Sequence, residues 1–246
     1  MTKRLSCINA MPPSSLRHRA WFLVLLAVVT SCGGSSSAST TTTSPPKIYK
    51  VGDVGPGGGV IFFKARASFI CDDNDGLNKN RCSYLEVAPE DVQSKGVRIA
   101  QTWTCWDFIG GTSTDIGTGE INTGKILGSC KTPNSPAQLA RSYTTTVSGT
   151  TYNDWFLPSR DETELLCLRF ANDPKSVYAA QGWWTKTQIG GCRGTYTPSG
   201  GFTGGAYWTS SEYAGSYGWH LHLYCGVFDH HLDKYYASWV RAVRAF

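Results

Sequence analysis

The sequence predicts an α+β domain, with two short helices among small sheets of short strands joined by long loops. Three observations carry this. Glycine (27 residues) and aromatic side chains (13%) are frequent while helix-favouring runs are few, a composition that suits short strands and turns. Two helix starts are written locally as capping boxes, at Ser135 and at Ser159. From Tyr207 to Phe246 the chain falls into short runs of alternating polarity broken by turn residues, which is strand patterning.

The elements follow in order. Residues 1–31 have the layout of a secretory signal. Lys3, Arg4, Arg17 and Arg19, with no acid among them, precede the apolar run Trp21 to Val29. As a helix that run spans only about 14 Å, against about 30 Å of bilayer hydrocarbon, so it is not a membrane span. A start at Met11 would still keep Arg17 and Arg19 ahead of it. Val29-Thr30-Ser31-Cys32 resembles the lipobox of bacterial lipoproteins. That implies cleavage before Cys32, lipid on its sulfur, and a protein exported and lipid-anchored in the bacterial cell envelope, with the membrane as a partner through the anchor. Residues 32–47 are then a linker. Gly33 to Pro46 reads GGSSSASTTTTSPP, which cannot bury enough apolar area to offset its ordering entropy.

The expected domain spans 48–246. Gly52 to Gly59 (GDVGPGGG) is a turn-rich approach to a strand at Val60 to Lys64. No Gly-Lys-Ser/Thr follows and no helix opens after it, so tight turns explain these glycines better than phosphate binding. Asp72-Asp73-Asn74-Asp75-Gly76 hints at calcium, but an EF-hand register would put Cys71 and Cys82 where carboxylates are needed. A polar loop closed by a Cys71–Cys82 disulfide is the simpler reading, with calcium in another loop geometry as the alternative. Ser135-Pro136-Ala137-Gln138 opens a helix to about Tyr143. Ser159-Arg160-Asp161-Glu162 opens a second, packed through Leu165, Leu166, Leu168 and Phe170 and ended by Asn172 and Pro174. Its acids Asp161, Glu162 and Glu164 suit the positive end of the helix dipole, a simpler account than a catalytic pair of carboxylates. Tyr207 to Ser210 is a strand. Gly218 to Tyr224 and Val227 to Leu232 form a hairpin about Cys225-Gly226, and Trp239 to Phe246 a final strand. Alternation on that strand puts Val240, Ala242 and Arg244 on one face and Trp239, Arg241 and Val243 on the other.

Charge and cysteine narrow the function. Of 23 Lys and Arg, four leave with the signal and no acid does, so 19 cations face 18 anions in the mature chain. A near-neutral chain makes no electrostatic case for nucleic acid. Of nine cysteines, Cys7 leaves with the signal and Cys32 takes the lipid; the other seven include no Cys-x-x-Cys, and outside the cytosol such cysteines form disulfides. No nucleophile elbow, zincin helix or serine-triad order is present.

One local cluster points to metal. Four of the five histidines lie between 220 and 231. With a two-residue turn at Cys225-Gly226, His220 opposes His231 and His222 opposes Asp229, all four on one face. Imidazoles with a carboxylate suit zinc, copper or nickel. A three-residue loop would gather His220, His222 and His230 instead. A polar, solvated hairpin face is the plainer account, and no cofactor is expected beyond a calcium or transition-metal alternative.

The motifs together resemble a known pattern. GDVGPGGGVIFF, LEVAPED (Leu85 to Asp91), IGTGEINTGKIL (Ile116 to Leu127), NDWFLPSRDE (Asn153 to Glu162), YWTSSE (Tyr207 to Glu212) and the terminal VRAVRAF come in the order seen in the Lcl C-terminal domain family of bacterial exported proteins. The resemblance covers residues 48–246. It implies a C-type-lectin-like domain, with two helices flanking short, mostly antiparallel sheets and the first and last strands paired. It also implies the disulfides Cys71–Cys82, Cys105–Cys130 and Cys167–Cys192, with Cys225 left over. The family's collagen-like adhesin, linked to sulfated polysaccharide, carries a Gly-x-y tract that is absent here, so its trimeric architecture is not implied.

The function expected is therefore a surface-anchored, non-enzymatic binding or adhesion module. Its ligand would be a carbohydrate, perhaps-sulfated polysaccharides included, or a surface protein. The alternatives are a metal-binding exported domain and a relative of formylglycine-generating enzymes. In the last case Cys192 and Cys225 would have to serve as the copper pair.

Overall fold

In the computed structural model, described over residues 47–72, 80–94, 96–103, 105–170, 201–202, 205–222, 227–229 and 233–246, the chain runs β1 (Val60–Asp72), β2 (Asn80–Val87), β3 (Gln93–Ser94), β4 (Val97–Arg98), β5 (Ala100–Gln101), α1 (Gly119–Ser129), α2 (Pro136–Arg141), β6 (Thr145–Val147), β7 (Thr150–Tyr152), α3 (Arg160–Phe170), β8 (Ala206–Ala214), β9 (Tyr217–His222), β10 (Val227–Asp229), β11 (Ser238–Trp239) and β12 (Val243–Ala245). The class is α+β, as expected. One sheet has the order β1-β2-β12 and a second β10-β9-β8-β11-β5, with two-stranded ribbons β3-β4 and β6-β7. All pairings are antiparallel except β8 with β11. Between the two larger sheets and α3 lies a core that includes Phe62, Leu85, Phe156, Leu166, Tyr207 and Leu221.

The glycine-rich loop before β1 encloses an anion belonging to the chain itself. Glu86, fully buried on β2, accepts the backbone N–H of Gly57 at 3.1 Å and of Gly59 at 2.7 Å. The Arg244 guanidinium closes the site at 3.1 Å from Glu86 and forms a two-pronged pair with Asp154 at 2.9 and 2.7 Å. Burial acts to lower the Arg244 pKa, but these two carboxylates hold it above the ordinary value. A Cβ on Gly59 would fall 1.9 Å from the Val87 carbonyl oxygen, so no other residue fits there.

Both capping boxes form. In α3, Glu162 N–H donates to Ser159 Oγ (3.3 Å) and Ser159 N–H donates to Glu162 Oε2 (2.9 Å). In α2, Gln138 N–H donates to Ser135 Oγ at 3.2 Å, while the Gln138 side chain reaches one residue further back and accepts from Asn134 N–H at 2.6 Å. The third helix, α1, is an addition to the two expected. Its N-cap residue Thr118 makes no side-chain capping bond to the helix. Glu162 Oε1 takes that role, accepting Gly117 N–H at 2.8 Å and Gly119 N–H at 3.3 Å. One carboxylate thus serves the starts of two helices.

The structure corrects three further expectations. The final strand is divided: β11 lies in the five-stranded sheet and β12 in the three-stranded one. Val240, Arg241 and Ala242 cross between them fully buried, so both faces are interior and alternation there does not separate core from solvent. Arg241 is accommodated because it meets Asp91 at 2.6 Å and the carbonyls of Ala88 and Gly201. The first and last strands share a sheet but are not paired, since β2 lies between them. Finally, the hairpin register differs. Val227 pairs with His222 and Asp229 with His220, so the connection spans four residues, 223–226, in place of two or three. Pairing with β8 holds β9 in place, with Leu221 opposite Tyr207 and His220 opposite Trp208, all four buried.

The chain enters and leaves at one place. Tyr49 packs edge-on against Tyr84 and Phe246, with ring centroids 5.6 and 5.5 Å apart. The Phe246 carbonyl accepts from Ser83 N–H (2.8 Å) and Tyr84 N–H (3.0 Å).

Candidate functional site

The segment from Trp103 to Thr112 has little regular structure, yet it is fastened at nearly every step. Cys105 is joined to Cys130 at the end of α1. Trp103 is buried, and its indole N–H donates to the Thr209 carbonyl at 3.0 Å. Glu212, near the end of β8, accepts Ile109 N–H at 3.0 Å and Gly110 N–H at 2.9 Å. Its own N–H donates to Thr112 Oγ1 at 3.0 Å. Gly110 and Gly111 turn the chain with φ of 71° and 69°, a conformation other residues rarely adopt.

Lys234 fixes a second segment to the first. Its ammonium lies 2.7 Å from Glu212 Oε1, with both side chains fully buried, and donates to the Asp107 carbonyl at 3.1 Å. It also sits 4.5 Å from the centre of the Trp103 ring. The Lys234 backbone bridges onward, donating to Ser216 O and accepting from Trp103 N–H, each at 2.8 Å. A buried pair with all its donors and acceptors engaged is costly to break and specifies one geometry.

On this frame lie exposed rings. Trp106 and Tyr235 stack with centroids 3.8 Å apart and planes 17° from parallel. Trp106 is 42% exposed, Phe108 57%, Tyr235 60% and Tyr236 62%. Large aromatic surface of this kind, held rigidly in water, marks an interaction site more often than chance exposure does. The stack joins residues far apart in sequence through the Lys234–Glu212 pair, which no spacing rule exposes. The Trp-Asp-Phe string between Cys105 and Gly110-Gly111, with Asp-Lys-Tyr-Tyr at 233–236, was the available signal: aromatics and acids in loops, without core periodicity.

The acids of α3 divide by environment. Glu162 is fully buried; desolvation pushes its pKa up to about 7 despite the three N–H donors that favour its charge. Asp161, also raised by desolvation, pairs with Arg160 at 2.6 Å. Glu164 is buried with Oε1 lacking a hydrogen bond among the described residues, and desolvation followed by the nearby Asp161 pushes it up to about 8. These are a cap, an ion pair and a buried acid at separate places, and no catalytic pair is made from them.

Of the other sequence-derived residues, Cys71 and Cys82 are joined at the far end of β1 and β2. Cys167 is buried and disulfide-bonded; Cys192 and Cys225 lie outside the described residues, as does Cys32. His220, His222 and Asp229 keep one face of the β9-β10 pair, because a two-residue change of register preserves side-chain direction. His220 is fully buried, its ring edge-on to Trp208 at 5.7 Å, so that part of the face is not solvated. His230 and His231 lie outside the described residues. Among the described residues no three His, Cys, Asp or Glu side chains converge as a metal site. Asp72 accepts from Asn80 at 3.1 Å, and the rest of the proposed calcium loop lies outside the described residues.

No family model matches the chain, and no curated protein matches it at a significant level.

Proposed function

We propose that residues 48–246 form a non-enzymatic binding module for carbohydrate, displayed from the cell envelope on a lipid-anchored tether. The observation that carries this is the Trp106–Tyr235 stack, exposed to solvent and bolted to the interior through Lys234, Glu212 and Cys105–Cys130. Aromatic rings offer large contact area with little side-chain entropy to lose, and their faces attract the polarised C–H groups of a sugar ring. The lipobox-like Cys32 and the Ser/Thr linker support display away from a membrane. The resemblance to the Lcl C-terminal domain family belongs to the same reading, with the C-type-lectin-like architecture it implies.

A glycan array probed with the purified full chain in detergent tests this. Saturable binding that is lost when Trp106 and Tyr235 are both changed to Ala is the expected result. Absence of binding across the array, or binding untouched by the double change, would overturn it.

A further inference from the structure

The surroundings of the aromatic stack select among carbohydrates, an inference that rests on the carbohydrate reading above. In the two segments that form it, Trp106 to Gly111 and Asp233 to Tyr236, the side-chain charges are Asp107, exposed, Asp233, half-buried, and Lys234, fully buried and neutralised by Glu212. The accessible charge of the platform is therefore negative. The two lysines on its α1 side are both engaged with backbone carbonyls, Lys125 with that of Gly111 and Lys131 with that of Leu127.

We infer that the platform takes an uncharged pyranose chain and rejects a sulfated one. A sulfated polysaccharide brings closely spaced anions that need exposed Arg or Lys; here its sulfates would meet Asp107 and Asp233. A neutral glycan has the opposite complementarity. Its hydroxyls are donors and find carboxylate acceptors at the rim, while its axial C–H face lies on the indole and phenol rings. The fixed frame means that little order has to be imposed on the protein when the sugar arrives. The ligand class is thus set against the sulfated polysaccharide that the family resemblance implies.

The test measures tryptophan fluorescence and calorimetric binding of the full chain in detergent. The probes are neutral cellohexaose, chitohexaose, maltohexaose and mannohexaose, with heparin and dextran sulfate as sulfated probes. The expected result is binding of at least one neutral probe, little changed by about 0.5 M NaCl. It should weaken about tenfold or more in Trp106→Ala and in Tyr235→Ala, and neither sulfated probe should bind. Heparin or dextran sulfate binding without any neutral ligand would overturn the inference and leave the carbohydrate reading standing. No binding of either class would overturn both. Neutral binding that survives both substitutions would place the sugar elsewhere and also overturn the inference. Thermal melts check folding, and Phe108→Ala is read if either variant fails to fold.

Discussion

Glu164 makes this domain more stable in mild acid than at neutral pH. Its folded pKa of about 8 lies above the ordinary 4.5, so the folded state holds the proton more tightly than the unfolded chain. The stability this contributes is complete below about 4.5 and is lost as pH rises through about 8; Glu162 acts in the same sense up to about 7. Urea midpoints should therefore fall between pH 4.5 and 8, by an amount on the order of a few kcal/mol in total. Glu164→Gln should flatten the profile and leave the variant more stable than wild type at the alkaline end; an unchanged slope would refute the assignment. Lys234 sets a contrast at the same scale. Lys234→Met leaves Glu212 buried without its cation and should cost about 3–5 kcal/mol. Trp106→Ala, an exposed position, should cost under about 1 kcal/mol. Denaturant titration of the two variants separates the frame from the surface it carries.

At the scale of elements, what was legible depended on how far each cause lay along the chain. The two capping boxes were readable because donor and acceptor sit three residues apart, and both helices begin where those residues place them. Helix α1 was not, because its cap comes from Glu162, more than forty residues away. Its own sequence, with Gly119, Gly124, Gly128, Asn122 and Thr123, argues against a helix on propensity. Glu162→Gln should accordingly disturb both helices together. Hydrogen exchange should rise at the first turn of α1 as well as α3, and exchange confined to α3 would show that the shared cap is unimportant. The β9-β10 register was hidden for a similar reason, since β8 decides it. The aromatic platform was the least legible feature, because Trp106 and Tyr235 are brought together by Lys234 and Glu212 and by no local pattern.

For the whole molecule, the expected anchor and the folded part can be tested apart. Cys32→Ala should abolish incorporation of a fatty-acid probe and release the protein or leave it unprocessed; labelling equal to wild type would remove the lipid from the account. The α+β architecture follows from the sequence because its strands are short and its breaks are marked by glycine. The buried charges that hold it together do not, because Glu86, Asp91 and Glu212 read as ordinary surface acids until Arg244, Arg241 and Lys234 are placed beside them.

The joined termini have a mechanical meaning. Any pull arriving at Lys47 meets the Tyr49 ring first, seated on Tyr84 and Phe246 and assisted by a single backbone hydrogen bond to the Tyr84 hydroxyl at 3.3 Å. Those contacts are few, noncovalent and at the surface, so they yield before load reaches the β1-β2 ladder. They also re-form as soon as tension drops, because the two chain ends stay neighbours. The domain carries a slack element in series with its leash, and brief tugs are absorbed there before they reach the frame beneath the aromatic stack.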